Sequence, residues 1–213
     1  MNEKSHATET LPRLIVVEGI DGAGTTTQSR LLTERIQDAG SAVFDTSEPT
    51  RNPIGQLLRR VLAGEVRVAP ETVAYLFAAD RWEHVFGADG IVEHHDAGQI
   101  VVCDRYAYSS LAYQTVECDV ELVRALNRHF PLPGLLVFLD LEPDVGERRL
   151  AARAQREIYE ESPIQAVVRD NYHRLLEEAS RSTRVVALSG AEEESAIHRK
   201  IWEAVESTSI LIT

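Results

Sequence analysis

The chain has 213 residues, 44% of them hydrophobic, which suits one domain of ordinary or slightly enlarged size whose core needs neither disulfides nor a metal. Its formal net charge is -12, and only two of its 22 basic residues, Lys4 and Lys200, are lysines. So acidic a surface is repelled by nucleic-acid backbones and anionic membranes, which argues against both as partners; a small anionic substrate stays open, because local arginines can build a positive pocket.

The opening MNEKSHATETLP has no apolar signal-peptide core and is expected to be a loose polar tail over 1–12, with a single domain over 13–208. RLIVVE (Arg13 to Glu18) is a continuous apolar run ending at glycine, the pattern of a buried parallel strand. A helix follows from about Thr26, with Leu31, Leu32 and Ile36 on one face and Gly40 past its end. AVFDT (Ala42 to Thr46) is a second strand, and IGQLLRRVLAG a helix closed by Gly64. A long helix starts at Pro70, with a break expected around Gly87 or Gly90. QIVVCD, GLLVFLDL and RVVALS supply strands three to five, with helical segments between them. Strands alternating with helices predict an α/β fold, a five-stranded parallel sheet covered on both faces, with ligands bound at the C-terminal edge. Cys103 and Cys118 suggest reduced thiols in a cytoplasmic setting, and no apolar run approaches membrane-spanning length.

Gly19, Ile20, Asp21, Gly22, Ala23, Gly24, Thr25 and Thr26 match G-x-x-x-x-G-K-[ST] everywhere except the lysine, which is Thr25. Such a loop turns backbone N–H groups inward as an anion nest and aims the positive end of the next helix at phosphates. Thr26 would place its hydroxyl on Mg²⁺. A glycine-rich strand-to-helix turn is common in α/β proteins, and the loop alone does not decide between these readings. Thr25 cannot replace a lysine's charge, so a catalyst needs another cation here.

Four further segments follow in order: SEPT (Ser47 to Thr50), LFAADRWEH (Leu76 to His84), DRYAYSSLAYQ (Asp104 to Gln114) and FLDLEPDVGERRLAARAQREIYE (Phe138 to Glu160). With EGIDGAG they resemble the thymidylate kinases over nearly the whole chain. The resemblance implies a P-loop kinase fold with a short helical lid over about 149–160, and transfer of phosphate from Mg-ATP to dTMP. It implies ATP on Gly19 to Thr27 and Mg²⁺ near Thr26 and Asp104. It implies dTMP among Asp21, Glu48, Arg51, Phe77, Arg81, Arg105, Ser110, Tyr113 and Gln114. In that family Asp21 would sit near the 3′-hydroxyl, Phe77 would stack on thymine, and Arg81 and Ser110 would meet the base. Arg105 would hold the acceptor phosphate, and Tyr113 would press where a ribose 2′-hydroxyl lies. A cytoplasmic homodimer packed helix against helix is implied as well.

Outside the motif, Phe77 on an amphipathic helix would be a core residue, Arg81 an exposed charge, Asp104 a turn cap and Tyr113 packing. Arg105 at a strand's C-terminal edge facing an anion nest itself suggests phosphate. His94 and His95 are adjacent on a helix and point apart, so they read as a solvated face rather than a metal pair. The chain departs from the family at Thr25, and at Ser47, where many members carry arginine and Arg51 lies near enough to take over. Its compact lid lacks the glycine many bacterial members show. Arg149, Arg153 and Arg156 are spaced i, i+4, i+7 on one helix face, and Arg153 and Arg156 are the expected source of the missing charge. Two other readings remain at this point: a kinase of another deoxynucleotide or deoxynucleoside, and a nucleotide-binding protein without turnover.

Overall fold

The computed structural model describes residues 9–151 and 162–211. Its strands are β1 Thr10–Gly19, β2 Val43–Ser47, β3 Ile100–Asp104, β4 Leu132–Asp140 and β5 Arg184–Ser189. They form one sheet in the order β2-β3-β1-β4-β5, and every pairing is parallel. The central strands are runs of Val, Ile and Leu because both faces are covered: Val16, Val17, Val101, Val102, Leu136 and Val137 are fully buried. The edge strands β2 and β5 are only half-buried.

The helices of the described residues are α1 Thr25–Asp38, α2 Pro53–Leu62, α3 Pro70–Phe86, α4 Ile91–Asp96, α5 Ala107–Tyr113, α6 Val120–Asn127, α7 Pro143–Leu150, α8 Ser162–Ala179 and α9 Glu194–Glu206. This is the α/β architecture of the P-loop NTPases. The long helix expected from Pro70 stops at Phe86, with Gly87 as its C-cap, and α4 resumes after Gly90. On α1, Leu32 and Ile36 are buried while Leu31 is half-buried. No helix among the described residues is long and apolar enough to cross a membrane.

One boundary differs from the sequence expectation. β1 begins at Thr10, inside the stretch read as a tail, because Thr10 and Leu11 pair with Leu132 and Pro133 of β4. The Leu132 N–H also donates to Glu9 O at 2.8 Å.

Register brings the site together. Val17 of β1 lies beside Asp104 of β3, and Gly19 beside Leu139 of β4, so three strands end at one edge. β1 lies between β3 and β4, and the loop after it opens into the crevice where connections diverge. Gly22 has φ +82°, and a Cβ there would lie 2.8 Å from Gly146 O of α7. A Cβ on Gly146 would lie 2.5 Å from Asp21 O, so α7 packs backbone against backbone on the loop.

Candidate active site

A cleft of about 970 Å³ runs along the C-terminal edge of the sheet. One end is lined by the glycine-rich loop from Asp21 to Thr27, the other by Phe77 and Arg81 of α3, with Asp104 and Arg105 between them. Gly19 and Ile20, which belong to the same motif, lie beneath this lining; Ile20 is in the core, and Gly19 O accepts a hydrogen bond from Arg105 Nη1 at 2.9 Å. Gly24, at φ +96°, precedes α1 as its N-cap, so the helix N-terminus faces the cleft. Thr25 is buried at the first turn of α1, its methyl group toward Gly19.

Arg105 stands at the centre, and its backbone is unusual. It has φ +68°, the left-handed region that costs an L-residue with a β-carbon roughly 1–2 kcal/mol. The turn is held by its own N–H, which donates to Val17 O at 2.9 Å. Arg105 Nη2 donates to Asp21 Oδ1 at 2.7 Å, and Nη1 reaches Ser109 Oγ at 3.3 Å and Tyr113 Oη at 3.4 Å. Asp21 is held from its other side by Gln165 of α8: Gln165 Nε2 donates to Asp21 Oδ2 at 2.7 Å, and the Asp21 N–H donates to Gln165 Oε1 at 3.1 Å.

Thr26 Oγ1 donates to Asp104 Oδ2 at 2.5 Å, and the other carboxylate oxygen, Oδ1, is buried with no hydrogen-bond partner. No group of three or more His, Cys, Asp or Glu among the described residues could hold a metal.

At the far end, Arg81 is completely buried. Its Nε and Nη2 donate to Glu48 Oε2 at 2.8 and 2.6 Å, Nη2 also reaches Ser110 Oγ at 3.0 Å, and Nη1 donates to Asn127 Oδ1. The guanidinium lies 5.4 Å from each of two flanking rings, Tyr106 and Phe130. Glu48 Oε1 meets His84 Nδ1 at 3.0 Å, and His84 Nε2 meets Thr46 Oγ1 at 2.6 Å. Burial alone would raise the Glu48 carboxyl; Arg81 and His84 together outweigh it and hold it below its ordinary value. Glu48 is thus turned onto Arg81 and His84. Asp80 accepts from both the N–H and the hydroxyl of Thr50, at 2.7 and 2.6 Å, fixing the loop that presents Glu48.

The thymidylate kinase profile matches residues 17–208. The chain belongs to the thymidylate kinase family. It is 41% identical to the probable thymidylate kinase of Thermococcus onnurineus over 202 residues, covering 90% of this chain and 96% of that one. With the probable thymidylate kinase of Pyrococcus horikoshii it shares 40% over 199 residues, 90% and 95% of the two chains. With that of Methanococcus aeolicus it shares 37% over 167 residues, 78% and 80%.

Within this thymidylate kinase family chain, the cleft gathers Asp21, Glu48, Arg51, Phe77, Arg81, Arg105, Ser110, Tyr113 and Gln114, together with Thr26 and Asp104. Arg149 lines it too, and its Nη1 donates to Gly22 O at 3.0 Å. Arg153 and Arg156 lie outside the described residues. Sequence reasoning missed Glu18, Ser109, Asn127 and Gln165, and gave His84 no role. Only His84 carried a usable signal, since i and i+3 put it on the helix face of Arg81.

Proposed function

We propose that this protein transfers the γ-phosphoryl group of Mg-ATP to dTMP, giving dTDP and ADP, as a homodimer in the cytoplasm. The observation that carries the reading is the continuity of one cleft from the glycine-rich loop to Phe77 and Arg81. Its volume of about 970 Å³ is at the top of the ~300–1,000 Å³ range of single-ligand pockets. ATP then lies on the loop and dTMP between Phe77, Arg81, Arg105 and Tyr113. An acceptor phosphate oxygen forms the new bond to the γ-phosphorus as the bond to the bridging oxygen of ADP breaks. That oxygen is already ionised, so no general base is needed; positioning and charge do the work. Arg105 holds the acceptor phosphate, Asp21 faces the 3′-hydroxyl, and Tyr113 closes off the 2′ position. Ser110 and Gln114 meet the base, while Glu48 acts by orienting Arg81 and Arg51 stands at the cleft wall.

The residues fit Mg²⁺. A threonine hydroxyl beside a carboxylate whose second oxygen lacks a partner is a hard-oxygen donor set, and a site without three protein acids suits an ion that keeps waters and substrate phosphates as ligands. Thr26 and Asp104 would hold it, and when bound it supplies charge neutralisation between the phosphates.

In place of the lysine, Arg149 is the described lid arginine already on the loop, 3.0 Å from Gly22 O, and Arg153 and Arg156 complete the charge from the rest of the lid. The test is ADP release by the purified chain with Mg-ATP and a panel of deoxynucleoside monophosphates, alongside Thr25→Lys. Stimulation of the wild type by dTMP above the others is expected. Silence of the wild type with turnover by Thr25→Lys would refute the kinase reading and leave a nucleotide-binding protein; stimulation by a different monophosphate would refute the substrate.

A further inference from the structure

Glu18 is the next-to-last residue of β1, just ahead of Gly19 where the glycine-rich motif begins, and it is fully buried. A lone buried carboxylate is unfavourable, and this one is surrounded by donors. Its Oε1 accepts the N–H groups of Tyr106 at 2.8 Å and Ser109 at 3.1 Å. Its Oε2 accepts the hydroxyls of Ser109 at 2.6 Å and Tyr172 at 2.8 Å. Tyr106 is the N-cap position of α5, and its own side chain makes no cap there. Glu18 therefore caps a helix that belongs to another part of the chain, doing from β1 what an N-cap side chain ordinarily does.

That helix is the one that matters for the acceptor side. Arg105, in its left-handed conformation, immediately precedes the capped Tyr106, and Ser110 and Tyr113 lie on α5 itself. Ser109 joins the two systems, with its hydroxyl on Glu18 and the Arg105 guanidinium on its oxygen. We propose that Glu18 is a positioning residue of the acceptor site: by capping α5 and holding Ser109, it fixes the turn that aims Arg105 and the helix that presents Ser110 and Tyr113. It touches no substrate, and the assignment rests on the reading of this cleft as the dTMP site.

The shape of the network separates this role from an electrostatic one. In Glu18→Gln the amide oxygen still accepts both N–H groups, and the hydroxyls of Ser109 and Tyr172 can turn to accept from the amide nitrogen. In Glu18→Met both carboxylate acceptors are gone at similar volume: the Tyr106 N–H loses its partner and the Ser109 N–H keeps only Tyr106 O, at 3.1 Å. The experiment measures KM for dTMP and for ATP, and amide exchange at Tyr106 and Ser109, in the full-length wild type and both variants. The expected result for Glu18→Met is a KM for dTMP raised tenfold or more, KM for ATP within twofold, and tenfold faster exchange at the two amides. Glu18→Gln is expected within threefold of the wild type on all counts. Parallel rises in both KM values with Glu18→Met, or a Glu18→Gln as impaired as Glu18→Met, would overturn the proposal. Should Glu18→Met fail to fold, Glu18→Gln still decides, through its KM for dTMP and its amide exchange. A wild type that does not use dTMP removes the functional reading alone; the exchange rates then still judge Glu18, and unchanged exchange in both variants would overturn it.

Discussion

The strongest energetic commitment at the acceptor end is the Glu48–Arg81 pair, with side chains only 3% and 1% exposed. Consider Glu48→Met, which keeps the volume and removes both acceptors. Arg81 is left buried between two rings with only Ser110 and Asn127 as partners, and His84 loses its contact to Oε1. Removing one partner of a buried ion pair costs about 3–5 kcal/mol, because the other charge stays desolvated. At roughly 2–4 °C per kcal/mol for a chain of this size, the midpoint of thermal unfolding should fall by about 6–20 °C. Arg81→Met alone should cost a comparable amount through the stranded Glu48. The double variant should be more stable than either single one, since apolar side chains of similar volume can replace a buried pair at little net cost. Urea unfolding of the wild type, the two single variants and the double variant measures this, with dTMP affinity by calorimetry on each. Affinity should fall tenfold or more in all three variants, because Arg81 is misdirected in one and absent in the others. Single-variant losses that add in the double to within about 0.5 kcal/mol would refute the coupling on which the argument stands.

Gly146→Ala should displace the loop, since the new Cβ would come 2.5 Å from Asp21 O; a tenfold or greater loss of kcat/KM with about 1–3 kcal/mol of overpacking cost is expected, and wild-type kinetics would refute the close approach. Arg149→Ala removes an exposed contact to Gly22 O, so stability should stay within about 0.5 kcal/mol while kcat falls at least tenfold; unchanged kcat would return the missing charge to other residues. Burial pushes the Glu18 carboxyl from 4.5 up to about 7, against the pull of Ser109, Arg105 and Tyr172. The folded state therefore binds more protons than the unfolded state between those values, and the associated stability is complete below about pH 4.5 and lost as pH rises through about 7. Unfolding free energies of the wild type and Glu18→Gln should accordingly diverge from pH 5 to 8.5, the wild type losing on the order of 3 kcal/mol relative to the variant; parallel curves would contradict it.

What was legible in the sequence was local. The buried strands announce themselves as unbroken apolar runs, and the glycine-rich loop carries its own signature. Thr10 to Pro12 do not, because the strand there exists only through pairing with Leu132 and Pro133, over a hundred residues away. The same holds at the site. Glu18 looks like the polar end of a strand, and its partners Tyr106, Ser109 and Tyr172 are 88, 91 and 154 residues distant. Gln165 is 144 residues from the Asp21 it grips. Glu48 is expected at the acceptor end and does line the cleft; that its carboxylate turns onto Arg81 and His84 is set by the packing of α3 against its loop.

The absence of a loop lysine belongs to a wider choice of cation. The cleft is lined by Arg51, Arg59, Arg81, Arg105 and Arg149, and none of its lining residues is a lysine. Its acidic residues divide by place: Asp21, Glu48 and Asp104 have named partners within the site, while Glu192, Glu193 and Glu194 lie at the α9 end. By place, Arg51, Arg59 and Arg81 against Glu48 leave a net positive stretch at the acceptor end, while Arg105 and Arg149 balance Asp21 and Asp104 in the middle and on the loop side, although the whole chain carries a charge of -12. An ammonium fixed in the loop is one point charge, whereas a guanidinium reaching in from α7 can donate to two phosphate oxygens side by side and stays charged throughout. On that logic the loop contributes backbone N–H groups and shape, and the charge arrives from Arg149 of α7. The wild type then draws its charge from α7 and not from the loop, so Thr25→Lys should raise the affinity for ATP more than it raises kcat.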